Sequence, residues 1–214
     1  LHDALPILTE TIQHGVFKHW LPPLALYGLH VTREGHYRAG GLVSAAAFSL
    51  MWLAGHPQVP VYTAYLALAL VAGGLLIDRP PAAVIVRRLG WSAFGVLAGL
   101  GIAAVSILPM VELGELSRRS VSNWELYISK ALPPWQLLGI ALPFAFGGAW
   151  SEGRMPVPYF GLGSPAEYTG YVGLLPLALA IAAPFVLSTY RREARLWFGI
   201  TVMAVLLCLG SATP

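Results

Sequence analysis

The chain reads as an all-α, polytopic transmembrane helix bundle, and three observations predict that fold. Of its 214 residues, 57% are hydrophobic and only 11% are charged, against roughly 25% charge in soluble domains. The apolar residues fall in long runs, such as residues 42–55, that contain no charged side chain. A helix in water needs a polar outer face, and such runs offer none. Arginines gather between the runs: Arg33 with Arg38, Arg79 with Arg87 and Arg88, and Arg191 with Arg192 and Arg195. Basic clusters at span ends mark the cytoplasmic side. The net charge of +3 is therefore an orientation signal rather than a footprint for nucleic acid. The single cysteine, Cys208, excludes a disulfide framework and a cysteine-based metal site. It sits in an apolar run and is expected to pack as a small apolar residue.

Taken in order, residues 1–7 (Leu-His-Asp-Ala-Leu-Pro-Ile) match one reading frame of a common sequencing adapter and are expected to be non-native. Residues 8–214 are then expected to be an internal fragment of one multi-pass membrane domain. Residues 20–29 are read as a first membrane helix, with Trp20 at the interface and Pro22 and Pro23 early in the span. Residues 39–54 follow, rich in Gly, Ala and Ser, which allow close helix packing. Gly55-His56-Pro57-Gln58 then makes a tight turn: Gly55 supplies the backbone freedom, and Pro57 and Pro60 stop one helix and start the next. Residues 59–77 form the third span, ended by Asp78-Arg79-Pro80-Pro81. Residues 91–110 form the fourth, with Gly95, Gly99 and Gly101 on its packing face. Residues 170–187 and 196–209 bring the total to about six.

Charge and parity fix a topology. If the three Arg clusters are cytoplasmic, the Gly55–Gln58 turn is exoplasmic, and so is the whole segment 111–169. Residues 132–146 are apolar but short and carry Pro133, Pro134 and Pro143. Parity makes them an interfacial or re-entrant helix rather than a span. Three polar pieces then share one membrane face: the His56/Gln58 turn, residues 112–130 and residues 147–169. A cleft between helices at that face is where a lipid headgroup or small molecule would bind.

Within these pieces, His56 and Gln58 either cap a hairpin or line such a cleft. Glu112 and Glu115 stand one turn apart at the exit of a span, a spacing that can raise one carboxyl toward general-base range. Arg118 and Arg119 could neutralise Glu115 or hold a phosphate, for which a guanidinium fork is suited. Tyr168 is either an interfacial anchor or a sugar-stacking surface. No histidine pair has metal-ligand spacing, and no phosphate-binding loop or nucleophile elbow is present. No cofactor is identified, and a divalent metal held by carboxylates elsewhere stays open.

Ala54-Gly55-His56-Pro57-Gln58, followed by a Tyr-containing apolar helix, resembles the bacterial YfhO family of multi-pass membrane proteins. The resemblance continues in order through Leu108-Pro109-Met110-Val111-Glu112 with Ser117-Arg118-Arg119, Pro143 to Gly148, Tyr168-Thr169-Gly170-Tyr171-Val172-Gly173, and Leu209-Gly210-Ser211-Ala212-Thr213-Pro214. It implies a plasma-membrane glycosyltransferase moving a sugar from a polyprenyl-phosphate donor to an envelope acceptor on the exoplasmic face. On that reading Glu112 is a weak candidate base, with His56, Gln58, Arg118, Arg119 and Tyr168 on the substrate. The principal carboxylate is expected upstream of this sequence. The partners are the lipid-linked sugar, its acceptor and membrane lipid, and not nucleic acid. A transporter or flippase of lipid-linked sugars fits less well: such proteins place charges in mid-span and often show internal repeats, and neither is seen here. A non-catalytic assembly subunit is a third reading.

Overall fold

The structure, a computed structural model, describes residues 17–116, 131–147, 159–162 and 170–210. Among them there are helices and connections and no strand. The chain divides into two compact units, Leu1–Ser120 and Val121–Pro214.

Among its described residues the first unit holds five helices: α1 (Phe17–Arg33), α2 (Tyr37–Leu53), α3 (Gln58–Asp78), α4 (Ala82–Ile102) and α5 (Ala104–Leu116). The connections between α1 and α4 are a few residues each, which makes consecutive helices antiparallel. Leu21, Ala25 and Leu29 recur every fourth residue along α1 and bury one stripe against Ala47, Phe48 and Met51 of α2 and Ala67 of α3. That period places them on one helix face. Small residues let α1 and α2 approach closely: a Cβ on Gly40 would lie 2.6 Å from the Thr32 backbone nitrogen. The buried Ser44 hydroxyl crosses the same seam and donates to the Ala25 carbonyl at 3.1 Å. Two of these α2 residues also meet α4: a Cβ on Gly95 or Gly99 would lie 2.7 Å from Ser44 Cβ or 2.6 Å from Phe48 Cβ. Gly101 was expected on the same packing face, but nothing lies within 4 Å of its Cβ position.

Among the described residues, two helices are long and apolar enough to cross a membrane: α3 and α4, each of 21 residues. Only 28% and 17% of their apolar windows are buried, so the protein itself covers little of that surface. The remaining helices fall short of the ~20 apolar residues a bilayer core requires. Helices α1 and α2 have 17 residues and α5 has 13. The expectation of six spans thus narrows, by length and hydropathy, to these two.

Helix boundaries depart from the apolar runs in two places. Residues 91–110 were expected to be one span that follows Arg87 and Arg88. Instead α4 begins at Ala82 behind the cap residue Pro81, and both arginines lie in its second turn. Proline just before a helix presets the chain for it, and the stems of long basic side chains lie comfortably along apolar surface. The same run then breaks at Ala103, and α5 continues with Pro109 inside it. At the other end of the unit α1 starts at Phe17, so Pro22 and Pro23 lie inside it and leave carbonyls of the preceding turn without their helical partners.

Among its described residues the second unit contains a 3-10 turn, Pro134–Leu137, a one-turn helix α6 (Leu138–Ala141), and helices α7 (Leu174–Val186) and α8 (Arg191–Cys208). Neither the 3-10 turn nor α6 exceeds 4 residues, well short of the ~20 that a spanning helix needs. Gly173 enters α7 at φ 96°. Helices α7 and α8 pack together, with Phe185 edge-on to Phe198 at 6.4 Å. The Leu132 N–H donates to the Cys208 carbonyl at 2.8 Å and ties residue 132 to the end of α8. Cys208 itself is exposed, not packed as its apolar surroundings suggested.

Candidate functional site

The turn from α2 to α3 forms as its residues dictate. Ala54 N–H donates to the Leu50 carbonyl and Gly55 N–H to the Trp52 carbonyl, at 3.0 and 3.1 Å. Gly55 takes φ 75°, the left-handed step that ends helices. Pro57 caps α3, and Gln58 is its first residue. His56 is half-buried with its Nδ1 shielded from solvent, while Gln58 is exposed. No Lys, Arg, Asp or Glu occurs between Ala54 and Gln58. Because α3 and α4 are antiparallel, the α4–α5 junction at Ala103 belongs to this same neutral end of the unit.

Glu112 and Glu115 stand one turn apart on α5, as their spacing predicts. Both are exposed, and neither makes a hydrogen bond or ion pair among the described residues. Arg118, Arg119 and Tyr168 lie outside the described residues, as do most of residues 112–130 and 147–169. Of the six expected site residues, the structure therefore describes His56, Gln58 and Glu112, all in the first unit.

At the opposite end of that unit stands a polar cluster that sequence reading treated only as an orientation signal. Asp78, the last residue of α3, takes a two-pronged contact from Arg33 at the end of α1: Nη2 to Oδ1 at 2.6 Å and Nε to Oδ2 at 2.8 Å. Arg88 of α4 donates from Nη1 to the same Oδ2 at 2.6 Å, and from Nη2 to the Arg33 carbonyl at 2.7 Å. Paired forks of this kind are among the stronger charge-assisted contacts. The three side chains are 26%, 25% and 15% exposed for Arg33, Asp78 and Arg88, so water weakens the contacts only in part. Gly74, one turn before Asp78, leaves room for the guanidinium: a Cβ there would lie 3.3 Å from Arg33 Nε.

This clamp ties three helix ends together and leaves positive charge over. Arg38, Arg79 and Arg87 make no ion pair among the described residues, and Glu34 contacts His30 at 3.2 Å. A single aspartate among arginines was the sequence signal for the clamp, but its partners are 45 and 10 residues away.

In the second unit, Gln136 is the buried polar centre. Its Nε2 donates to the Tyr159 hydroxyl at 2.8 Å, and its Oε1 accepts from the Leu162 N–H at 3.3 Å. Phe146 stands edge-on to Trp135 at 5.1 Å and to Phe160 at 6.0 Å. Among the described residues, no three His, Cys, Asp or Glu side chains come together to hold a metal ion.

No family model, curated protein or solved structure matches this chain.

Proposed function

We propose that the chain belongs to a polytopic bacterial plasma-membrane protein that acts on a lipid-phosphate-linked sugar at the exoplasmic face. The observation that carries the membrane part is the α3–α4 hairpin. Two uncovered apolar helices, each of bilayer length, share a basic turn at one end and meet uncharged turns at the other. A core helix of a soluble protein would bury most of that surface. On this reading the Arg33/Asp78/Arg88 end is cytoplasmic and the His56/Gln58 end exoplasmic. Helices α1, α2, α7 and α8 complete about six crossings. The shorter ones reach through local thinning of the bilayer and through flanking residues, at modest cost.

The glycosyltransferase part is supported by the resemblance of the Gly55–Gln58 turn and the pieces that follow it to the YfhO family. In that reading His56 and Gln58 line the mouth of a cleft for the donor, Arg118 and Arg119 hold its phosphate, Tyr168 faces the sugar, and Glu112 assists as a carboxylate. The exposed position of Glu112 makes it a secondary group rather than the principal base. A flippase of the same lipid-linked sugars remains the second reading, and the absence of charge within α3 before Asp78 counts against it.

The deciding experiment has two stages. Membranes from cells expressing the protein are washed with alkaline carbonate, and the chain should stay in the pellet. Sugar transfer is then measured from a polyprenyl-phosphate donor in those membranes. Dependence on the protein and loss on Arg118→Ala with Arg119→Ala support the enzyme, whereas donor translocation without transfer supports the flippase. Release of the chain by carbonate would refute the membrane reading itself.

A further inference from the structure

The strip of α4 from Val86 to Phe94 is an open groove of about 240 Å³, lined by Val86, Arg87, Gly90, Trp91 and Phe94. It is apolar except at one end, where Arg87 stands. Unlike Arg33 and Arg88, which share Asp78, Arg87 has no carboxylate partner among the described residues. Gly90 forms the floor: a Cβ there would meet nothing within 4 Å. Trp91 forms a wall and is fixed in place. It packs edge-on to Phe94 at 5.3 Å, and it also abuts Gly41 of α2.

The groove runs along the helix from Arg87 to Phe94, a rise of about 10 Å. With the charged end at the membrane surface, Arg87 lies at headgroup level and Trp91 one turn deeper, where indole rings concentrate. From these observations we propose that this groove is a binding site for one anionic phospholipid of the surrounding leaflet. The phosphate pairs with the Arg87 guanidinium, and the upper part of an acyl chain lies over Gly90 between Trp91 and Phe94. The exposed, carboxylate-free Arg87 favours an anion at that end, and the polarity gradient along the groove favours a lipid. A peptide would bring backbone polar groups that the apolar stretch leaves unsatisfied. The inference rests on the membrane reading proposed above and assigns to it a site outside the sugar chemistry.

The test uses the full chain in nanodiscs of phosphatidylcholine with added phosphatidylglycerol. Quenching of tryptophan emission by acyl-brominated forms of each lipid is measured. The part that Trp91→Phe removes reports the groove. Phosphatidylglycerol should outcompete phosphatidylcholine at Trp91 by about fivefold, the factor expected for one basic residue at an anionic surface. Arg87→Ala should abolish the preference. Gly90→Leu, whose Cβ meets nothing within 4 Å, places a side chain in the groove and should reduce quenching by both lipids. Arg79→Ala removes the same charge from the same end but lies outside the groove, and it should leave the preference intact. Equal quenching by both lipids, or an equal loss with Arg79→Ala, overturns the site while leaving the membrane reading standing. A chain that carbonate strips from the membrane overturns both.

Discussion

Asp78 holds two guanidinium groups with one carboxylate, so its removal has a cost beyond lost hydrogen bonds. Asp78→Asn keeps the shape but leaves Arg33 and Arg88 facing each other without a counter-charge. Breaking a partly buried ion cluster from one side should destabilise the first unit by about 1–3 kcal/mol, read as a lower thermal midpoint in detergent. Adding Arg33→Gln should recover part of that loss, because it removes the repulsion. If the double variant is no better than Asp78→Asn, hydrogen bonding and not charge holds the three helix ends. In the second unit, Gln136 invites a graded comparison. Gln136→Ala strips partners from both the Tyr159 hydroxyl and the Leu162 N–H and should cost about 1–3 kcal/mol. Tyr159→Phe removes the hydroxyl's own bond to the Leu162 carbonyl at 3.0 Å but leaves Gln136 bonded to the Leu162 N–H, and it should cost less. Limited proteolysis near residues 159–162 will order the two variants, and equal cleavage would contradict the shared centre.

At the scale of elements, glycines that look alike in sequence differ in what they face. Gly40 sits where α1 and α2 nearly touch, so Gly40→Ala should overpack the seam and cost about 1–3 kcal/mol. Gly101 faces open space, and Gly101→Ala should be neutral or stabilising by no more than about 1 kcal/mol, since alanine is the better helix former. Thermal denaturation of the two variants side by side checks the contrast. The apolar run around Gly40 was legible in the sequence, as were the close-packing faces at Gly95 and Gly99 and the sharp turn at Gly55. The start of α4 was not, because Arg87 and Arg88 look like a boundary until Pro81 is seen to set the helix before them. The clamp was hidden for a different reason. Hydrophobic periodicity reports neighbours one turn away, while Arg33 meets a carboxylate from a helix two hairpins later. Of the expected site residues, His56 lies in the turn, Gln58 opens α3, and Glu112 lies on a helix. Whether they converge on a ligand depends on chain distant in sequence, which no local pattern encodes.

For the whole molecule, the membrane reading makes a sidedness prediction from charge alone. With Cys208 replaced, single cysteines are placed at Glu34 and Thr189, in the turns before α2 and α8, and at Gln58. In intact cells an impermeant thiol reagent should label Gln58→Cys and spare Glu34→Cys and Thr189→Cys until the membrane is opened. The reverse pattern in the first unit would invert it, with the uncharged turn inside and the arginines out. Labelling at all three positions in intact cells would remove the crossings altogether.

The clamp also sets an order of events during synthesis. Arg33 precedes Asp78 by 45 residues and precedes Arg88, which grips its carbonyl, by 55. At translation speeds of about 5–20 residues per second, the arginine waits several seconds for its carboxylate. Throughout that interval the α1–α2 pair exists with an unneutralised guanidinium at its end, and α3 alone supplies only half of the tie. The last contact closes when the second turn of α4 has left the ribosome. A chain interrupted before that point holds Arg33 against Asp78 but lacks the Arg88 guanidinium that bridges the carboxylate to the Arg33 carbonyl.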